Sequence, residues 1–251
     1  MPDSASDSRR CAPQIDHAPL LGRRALLQLL PTALAGLVVA GRTGAAENIA
    51  PPKPQNLLSP DTALDRLMAG NARYVGGTST PHDFRHEREA LAKGQNPFAA
   101  VLGCADSRIA PEYCFDTARG DLFVCRVAGN FASEEILASL EYAVAVLNTP
   151  LIFVLGHESC GALEATIKSV TKSTHPPGHL PALVAALAPA VTDVQKEPGN
   201  LLSNAIHRNV ARTVVALKSS TPILKPAVDA GKLRVVGGVY QLATGRVELL
   251  T

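Results

Sequence analysis

Residues 97–108 read PFAAVLGCADSR: an apolar run, PFAAVLG (97–103), that leads directly into Cys104, Asp106 and Arg108. The first seven residues have the length and the β-branched, aromatic content of a strand buried on both faces, ending on a glycine. The next five place a thiol, a carboxylate and a guanidinium at its end, on one side of the chain if the segment stays extended.

Working outward, the same pattern recurs. DLFVCRV (121–127), PLIFVLG (150–156) and LRVVGGVY (233–240) are further short apolar runs. Helical patterns separate them: Ser133 to Leu147 with Glu134 and Glu135 in its first turn, Gly161 to Lys172, and Asn204 to Lys218. Strands apolar on both faces require cover on both faces, so the spacing predicts an α/β domain with a mainly parallel β-sheet flanked by helices. Ahead of the first strand, Ser59-Pro60-Asp61 starts a helix whose apolar face carries Leu64, Leu67, Met68 and Tyr74. TKSTHPPGHLP (171–181) is read as a loop between helices.

Composition narrows the class. Of 251 residues, 46% are apolar and 18% charged with no long single-sign run, which describes a globular chain. Residues 1–46 hold five Arg against three Asp, leaving 19 basic and 19 acidic residues after them. A neutral body argues against a nucleic-acid partner. In residues 1–46, Gly22-Arg23-Arg24 precedes an apolar run, Ala25 to Ala40, and the small residues Thr43-Gly44-Ala45-Ala46. This resembles a twin-arginine export signal cleaved near Ala46. The expectation is a partner in the twin-arginine export machinery and a periplasmic or cell-envelope location. A basic pair before a core helix and a membrane anchor are the other readings, although Gln28 and Pro31 interrupt a run already short for a span. Residues 47–58 read as a Pro-rich linker, and 59–251 as one folded domain.

In parallel sheets, sites collect at the carboxyl ends of strands. Cys104 follows one such end, and GHESCGA (156–162) puts His157 and Cys160 three positions apart behind another. Cys₂His is a zinc ligand set with one tetrahedral position left open, as in catalytic sites. Cys160, at a helix N-terminus, is expected to ionise readily. Buried thiols or disulfide partners are the competing reading, and it is the preferred one for Cys114 and Cys125, which stand without a His. Asp106 either accepts a hydrogen bond from a metal-bound water or coordinates the metal, with Arg108 holding it ionised.

Cys-x-Asp-x-Arg followed by His-x-x-Cys resembles the signature of the β-class carbonic anhydrases. The likeness runs from LMAGNARYVGG through GCADSRIAPE, DLFVCRVAGN, SLEYAVAVL and LGHESCGALEA to GGVYQLATGRVELL. The resemblance implies one Zn²⁺ per subunit on Cys104, His157 and Cys160, a catalytic pair Asp106–Arg108, and reversible hydration of CO2 to bicarbonate and a proton by zinc-bound hydroxide. It also implies a homodimer or homotetramer whose narrow substrate pocket is lined by Gln95, Phe123 and Tyr142, in many members across a dimer interface. A core role is the other reading for Phe123 and Tyr142. Asn130 is expected to fix a loop near the site. A regulatory bicarbonate pocket of some bacterial members is not expected, because Val101 stands at its Trp position, although Arg126 matches its Arg. Gln241 in VYQLATG replaces a commonly acidic residue. His86, His175 and His179 are proton-shuttle candidates by type alone. A hydrolase of carbonyl sulfide or carbon disulfide, and a non-catalytic zinc-binding protein, remain open alternatives.

Overall fold

The computed structural model describes residues 58–250. The expected export signal lies outside the described residues, as does the linker apart from its last residue. Helix α1 (Pro60–Val75) begins where Ser59 caps it, its hydroxyl accepting from the Thr62 amide, with proline in the first turn. It buries Ala63, Leu64 and Leu67. An exposed helix α2 (Phe84–Leu91) follows, then strand β1 (Ala99–Gly103), a short helix α3 (Pro111–Cys114) and strand β2 (Leu122–Arg126). Next come α4 (Glu134–Ala145), β3 (Leu151–His157), α5 (Gly161–Lys172), α6 (Leu180–Val194), α7 (Leu201–Ser219), α8 (Leu224–Asp229), β4 (Arg234–Tyr240) and β5 (Val247–Leu249).

The sheet order is β2-β1-β3-β4-β5, parallel except for β5, which runs back along β4. Every residue of β1 and β3 is buried, as their continuous apolar runs require of central strands. Alternation along them feeds two cores. Ala100, Leu102, Ile152 and Val154 meet the face packed by α4 to α8 through Leu140, Leu163, Leu187, Val191 and Leu217. Ala99, Val101, Leu151 and Phe153 meet the face of α1 through Ala63, Leu67 and Phe115. Each Val, Leu, Ile or Phe among them is worth about 1.5–3 kcal/mol of burial.

Two polar residues tie α1 down. The buried Asn71 is satisfied at both ends: its amide donates to Cys114 O and Gly245 O, and its carbonyl accepts from the Val247 amide. Asp116 takes hydrogen bonds from Arg73 and Thr80. Burial pushes its carboxyl up, but Arg73 and Thr80 outweigh that and hold it below the usual range. On the opposite face, α7 sits close to the sheet because Gly156 and Gly237 leave a notch for Val210. A Cβ on either would stand 2.5 or 2.4 Å from a Val210 methyl.

The expected strands and helices all form, with ends shifted by a few residues. Helices α2, α3, α6 and α8 lie where the sequence reading named no helix. The 171–181 loop ends early, because Leu180 and Pro181 already belong to α6, whose first turn tolerates proline. Helix α7 begins at Leu201, three residues ahead of expectation, where Asn200 caps it. Strand β5 spans three residues, too few for periodicity to reveal. Among the described residues no helix is long and apolar enough to cross a membrane.

Candidate metal centre

Strands β1 and β3 are neighbours in register, Gly103 opposite Leu155, so the chains leaving them emerge side by side. That adjacency joins CADSR to HESC. His157 is the last residue of β3, Ser159 makes the turn with φ +52°, and Cys160 caps α5 in an extended conformation. Cys104, His157 and Cys160 are all buried, and their donor atoms lie within 4.8 Å of one another.

The imidazole is oriented from behind. Its Nδ1–H donates to Glu158 O at 2.8 Å, which leaves Nε2 carrying the lone pair. Nε2 is buried and has no hydrogen-bond partner. An orphaned imidazole nitrogen between two thiols is costly as a core feature and is what a ligand atom looks like. The S, N, S set fits zinc with a fourth position free.

Hydrogen bonds tune the sulfurs. The neighbouring Cys160 thiol and the Gly129 amide, which donates to Cys104 Sγ at 3.3 Å, hold Cys104 below the usual thiol range despite its burial. Cys160 is pushed up, by its contact with Cys104 and then by burial. The expectation that Cys160 ionises readily at its helix N-terminus meets a competing effect, since two adjacent thiols resist carrying two charges. The Ala162 and Leu163 amides do favour the Cys160 thiolate, but a thiolate alongside outweighs them. Cys114 and Cys125 are buried free thiols; burial pushes Cys114 up to about 12 and raises Cys125 as well, which suits inert core residues.

Asp106 reaches this centre, Oδ2 standing 3.9 Å from His157 Nε2. Arg108 grips it with Nε to Oδ1 at 2.9 Å and NH2 to Oδ2 at 2.7 Å, and the Arg108 amide adds a third bond at 3.0 Å. These hold the Asp106 carboxyl well below the usual carboxylate range. NH2 also donates to Ser159 O at 3.1 Å, so Arg108 is a strut between the two loops. Arg126 does related work: Nε donates to Cys104 O at 2.9 Å and NH2 to Asp106 O at 2.6 Å. The residue that matches the regulatory-pocket Arg is thus engaged by the Cys104–Asp106 backbone, and Val101 is fully buried.

The other expected residues lie elsewhere. Phe123 on edge strand β2 and Tyr142 on α4 pair as rings 6.3 Å apart, with Tyr142 46% exposed. Gln95 is exposed before β1, beyond the end of that strand opposite to Cys104, so its own chain does not bring it to the centre. His86 is paired with Asp83 on α2, His175 is exposed between α5 and α6, and His179 precedes α6. Asn130 does lie in a turn beside the centre, with φ +41°. Sequence reasoning missed the Arg126 clamp, the Ser159 carbonyl and the Gly129 amide, which donates to Cys104 Sγ at 3.3 Å. The glycine of RVAGN was the available signal for the last.

The chain is similar to known proteins. A family model described as carbonic anhydrase matches residues 99–247. Carbonic anhydrase 2 of Mycobacterium tuberculosis H37Rv is 40% identical over 192 residues, covering 76% of this chain and 93% of its own. The carbonic anhydrase of Mycolicibacterium smegmatis is 38% identical, with the same coverage. Among solved structures, the β-carbonic anhydrase CcaA superposes with a TM-score of 0.58 at 27% identity, over 75% of this chain and 95% of its own. With a family match over more than half its length and relatives of this closeness, the chain belongs to the β-class carbonic anhydrases.

Proposed function

We propose that Cys104, His157 and Cys160 hold one zinc ion per subunit, and that Asp106 with Arg108 is the catalytic pair for reversible hydration of CO2 to bicarbonate and a proton. The observation that carries the reading is the buried, partnerless His157 Nε2, with two thiols within 4.8 Å and an ionised carboxylate 3.9 Å away. Zinc on such a set supplies a Lewis acid that ionises water near neutral pH.

The chain's own residues do the rest. Asp106 Oδ2 accepts a hydrogen from the attacking water and so aims its oxygen at the substrate carbon. Arg108 keeps Asp106 ionised, and its bond to Ser159 O stops the carboxylate from swinging. Arg126 fixes the backbone on which both ride. A stopped-flow assay of zinc-loaded protein is expected to show CO2 hydration well above buffer. No such rate, with metal content confirmed near one per subunit, overturns the reading; hydrolysis of carbonyl sulfide or carbon disulfide in its place moves the chain to that chemistry.

Gln95, Phe123 and Tyr142 are assigned to a pocket completed by a second copy of the chain. The support is that β2 is an edge strand with Tyr142 exposed beside it, and that Gln95 is exposed ahead of β1, at the end of that strand away from Cys104. Light scattering is expected to give a dimer or tetramer, and a fully active monomer refutes the assignment. Residues 1–46 are assigned to twin-arginine export, on Arg23-Arg24 and the apolar run behind them. Immunoblots of fractionated cells are then expected to find the protein in the periplasm or cell envelope, and protein confined to the cytoplasm refutes this.

A further inference from the structure

The turn after β2 is held from three sides. The Val127 amide makes the last rung to Gly103 O, and the Asn130 amide then donates back to Val127 O at 2.9 Å. Gly129 stands between them at φ +82°, and a Cβ there would lie 2.6 Å from Leu187 Cδ1 on α6. Glycine is the residue with the most backbone freedom to lose, so its orientation depends on what grips it.

The grip comes from α7. The buried Asn209 donates from Nδ2 to Gly129 O at 2.8 Å, across 80 residues of sequence. Its neighbour Val210 fills the notch over Gly156 and Gly237, which sets the depth of α7 and with it the reach of Asn209. With its carbonyl held, Gly129 points its amide at Cys104 Sγ, 3.3 Å away.

We propose that Asn209 is a positioning residue for the metal centre: through Gly129 it aims a backbone amide at the Cys104 sulfur and thereby sets how strongly that sulfur donates to the metal. The inference rests on the zinc reading. An N–H···S bond withdraws electron density from a thiolate, and groups that orient a ligand in this way commonly change metal affinity by about 10- to 100-fold when removed. A role confined to satisfying the Gly129 carbonyl would leave the sulfur unchanged.

Cobalt(II) loaded into the full chain separates these cases. One cobalt per subunit with tetrahedral visible bands tests the metal centre itself, and failure at that step removes the zinc reading before any variant is compared. In Asn209→Ala and in the volume-conserving Asn209→Leu, the thiolate-to-cobalt charge-transfer band is expected to move to longer wavelength, because a sulfur freed of the amide donates more strongly. Leu217→Ala, a buried core change on the same helix about two turns away, is expected to lower stability and leave the band in place. An unmoved band in Asn209→Leu overturns the proposal, and so does an equal shift in Leu217→Ala. If neither Asn209 variant folds, the wild-type protein loaded with NMR-active cadmium decides. Scalar coupling from cadmium to the Gly129 amide proton, and from the Asn209 side-chain nitrogen to the Gly129 carbonyl carbon, is expected, and the absence of either overturns the proposal.

Discussion

Asp106→Asn is expected to lose about 100- to 1,000-fold of the CO2 hydration rate while retaining its metal, within the range of positioned proton-acceptor groups. The substitution keeps size and shape and leaves Cys104, His157 and Cys160 intact, so metal content should not change. It removes the charge, and it leaves one side-chain oxygen where Arg108 now finds two, at 2.9 and 2.7 Å. If the remaining oxygen faces Arg108, an amide donor faces the attacking water; if it faces the water, two donors collide at Arg108. Either orientation misaligns the nucleophile. Stopped-flow rates with metal analysis on the same sample check this. A variant with more than a tenth of the wild-type rate, or one that has lost its zinc, assigns Asp106 a different task.

Cys160→Ser is expected to abolish activity by losing the metal. A serine hydroxyl stays protonated at neutral pH, and the site falls from three ionisable or soft donors to two. The effect should appear in stability as well as in rate. A metal bound only by the folded state at about 1,000 times its dissociation constant adds about 4 kcal/mol. For a domain of this size that raises the melting temperature by roughly 8–16 °C. Zinc-loaded wild type should show this shift over the chelated protein, and Cys160→Ser should not. The shift should also shrink on acidification, because protons compete with the metal for the two sulfurs and for His157 Nε2. Thermal melts with and without chelator across pH measure both statements, and an unchanged zinc-dependent shift in Cys160→Ser would remove Cys160 from the ligand set.

These expectations rest on residues that the sequence exposes unevenly. Cys104, Asp106 and Arg108 are legible because they crowd the end of one strand, and His157 with Cys160 because they crowd the end of another. Gln95, Phe123 and Tyr142 had only the family likeness behind them, since nothing local separates a pocket aromatic from a core one. Cys160 shows that a local rule acts in company: its helix terminus favours the thiolate, while Cys104, 56 positions earlier, opposes a second charge beside its own.

The sequence by itself determined the fold class, the four parallel strands and the identity of the donor set, because these follow from local periodicity and from residue types at strand ends. Which strand ends become neighbours is another matter. Only the packed sheet puts β1 beside β3 and thereby brings two sulfurs and Nε2 within 4.8 Å. The supports are equally non-local: Arg108 to Ser159, Arg126 to Cys104, and Asn209 to Gly129 span from about 20 to 80 residues. Hydrogen bonds of this kind carry no period and no composition. They exist because burial of two helix-covered faces fixes the sheet, and the sheet then decides which carbonyl each long side chain can reach.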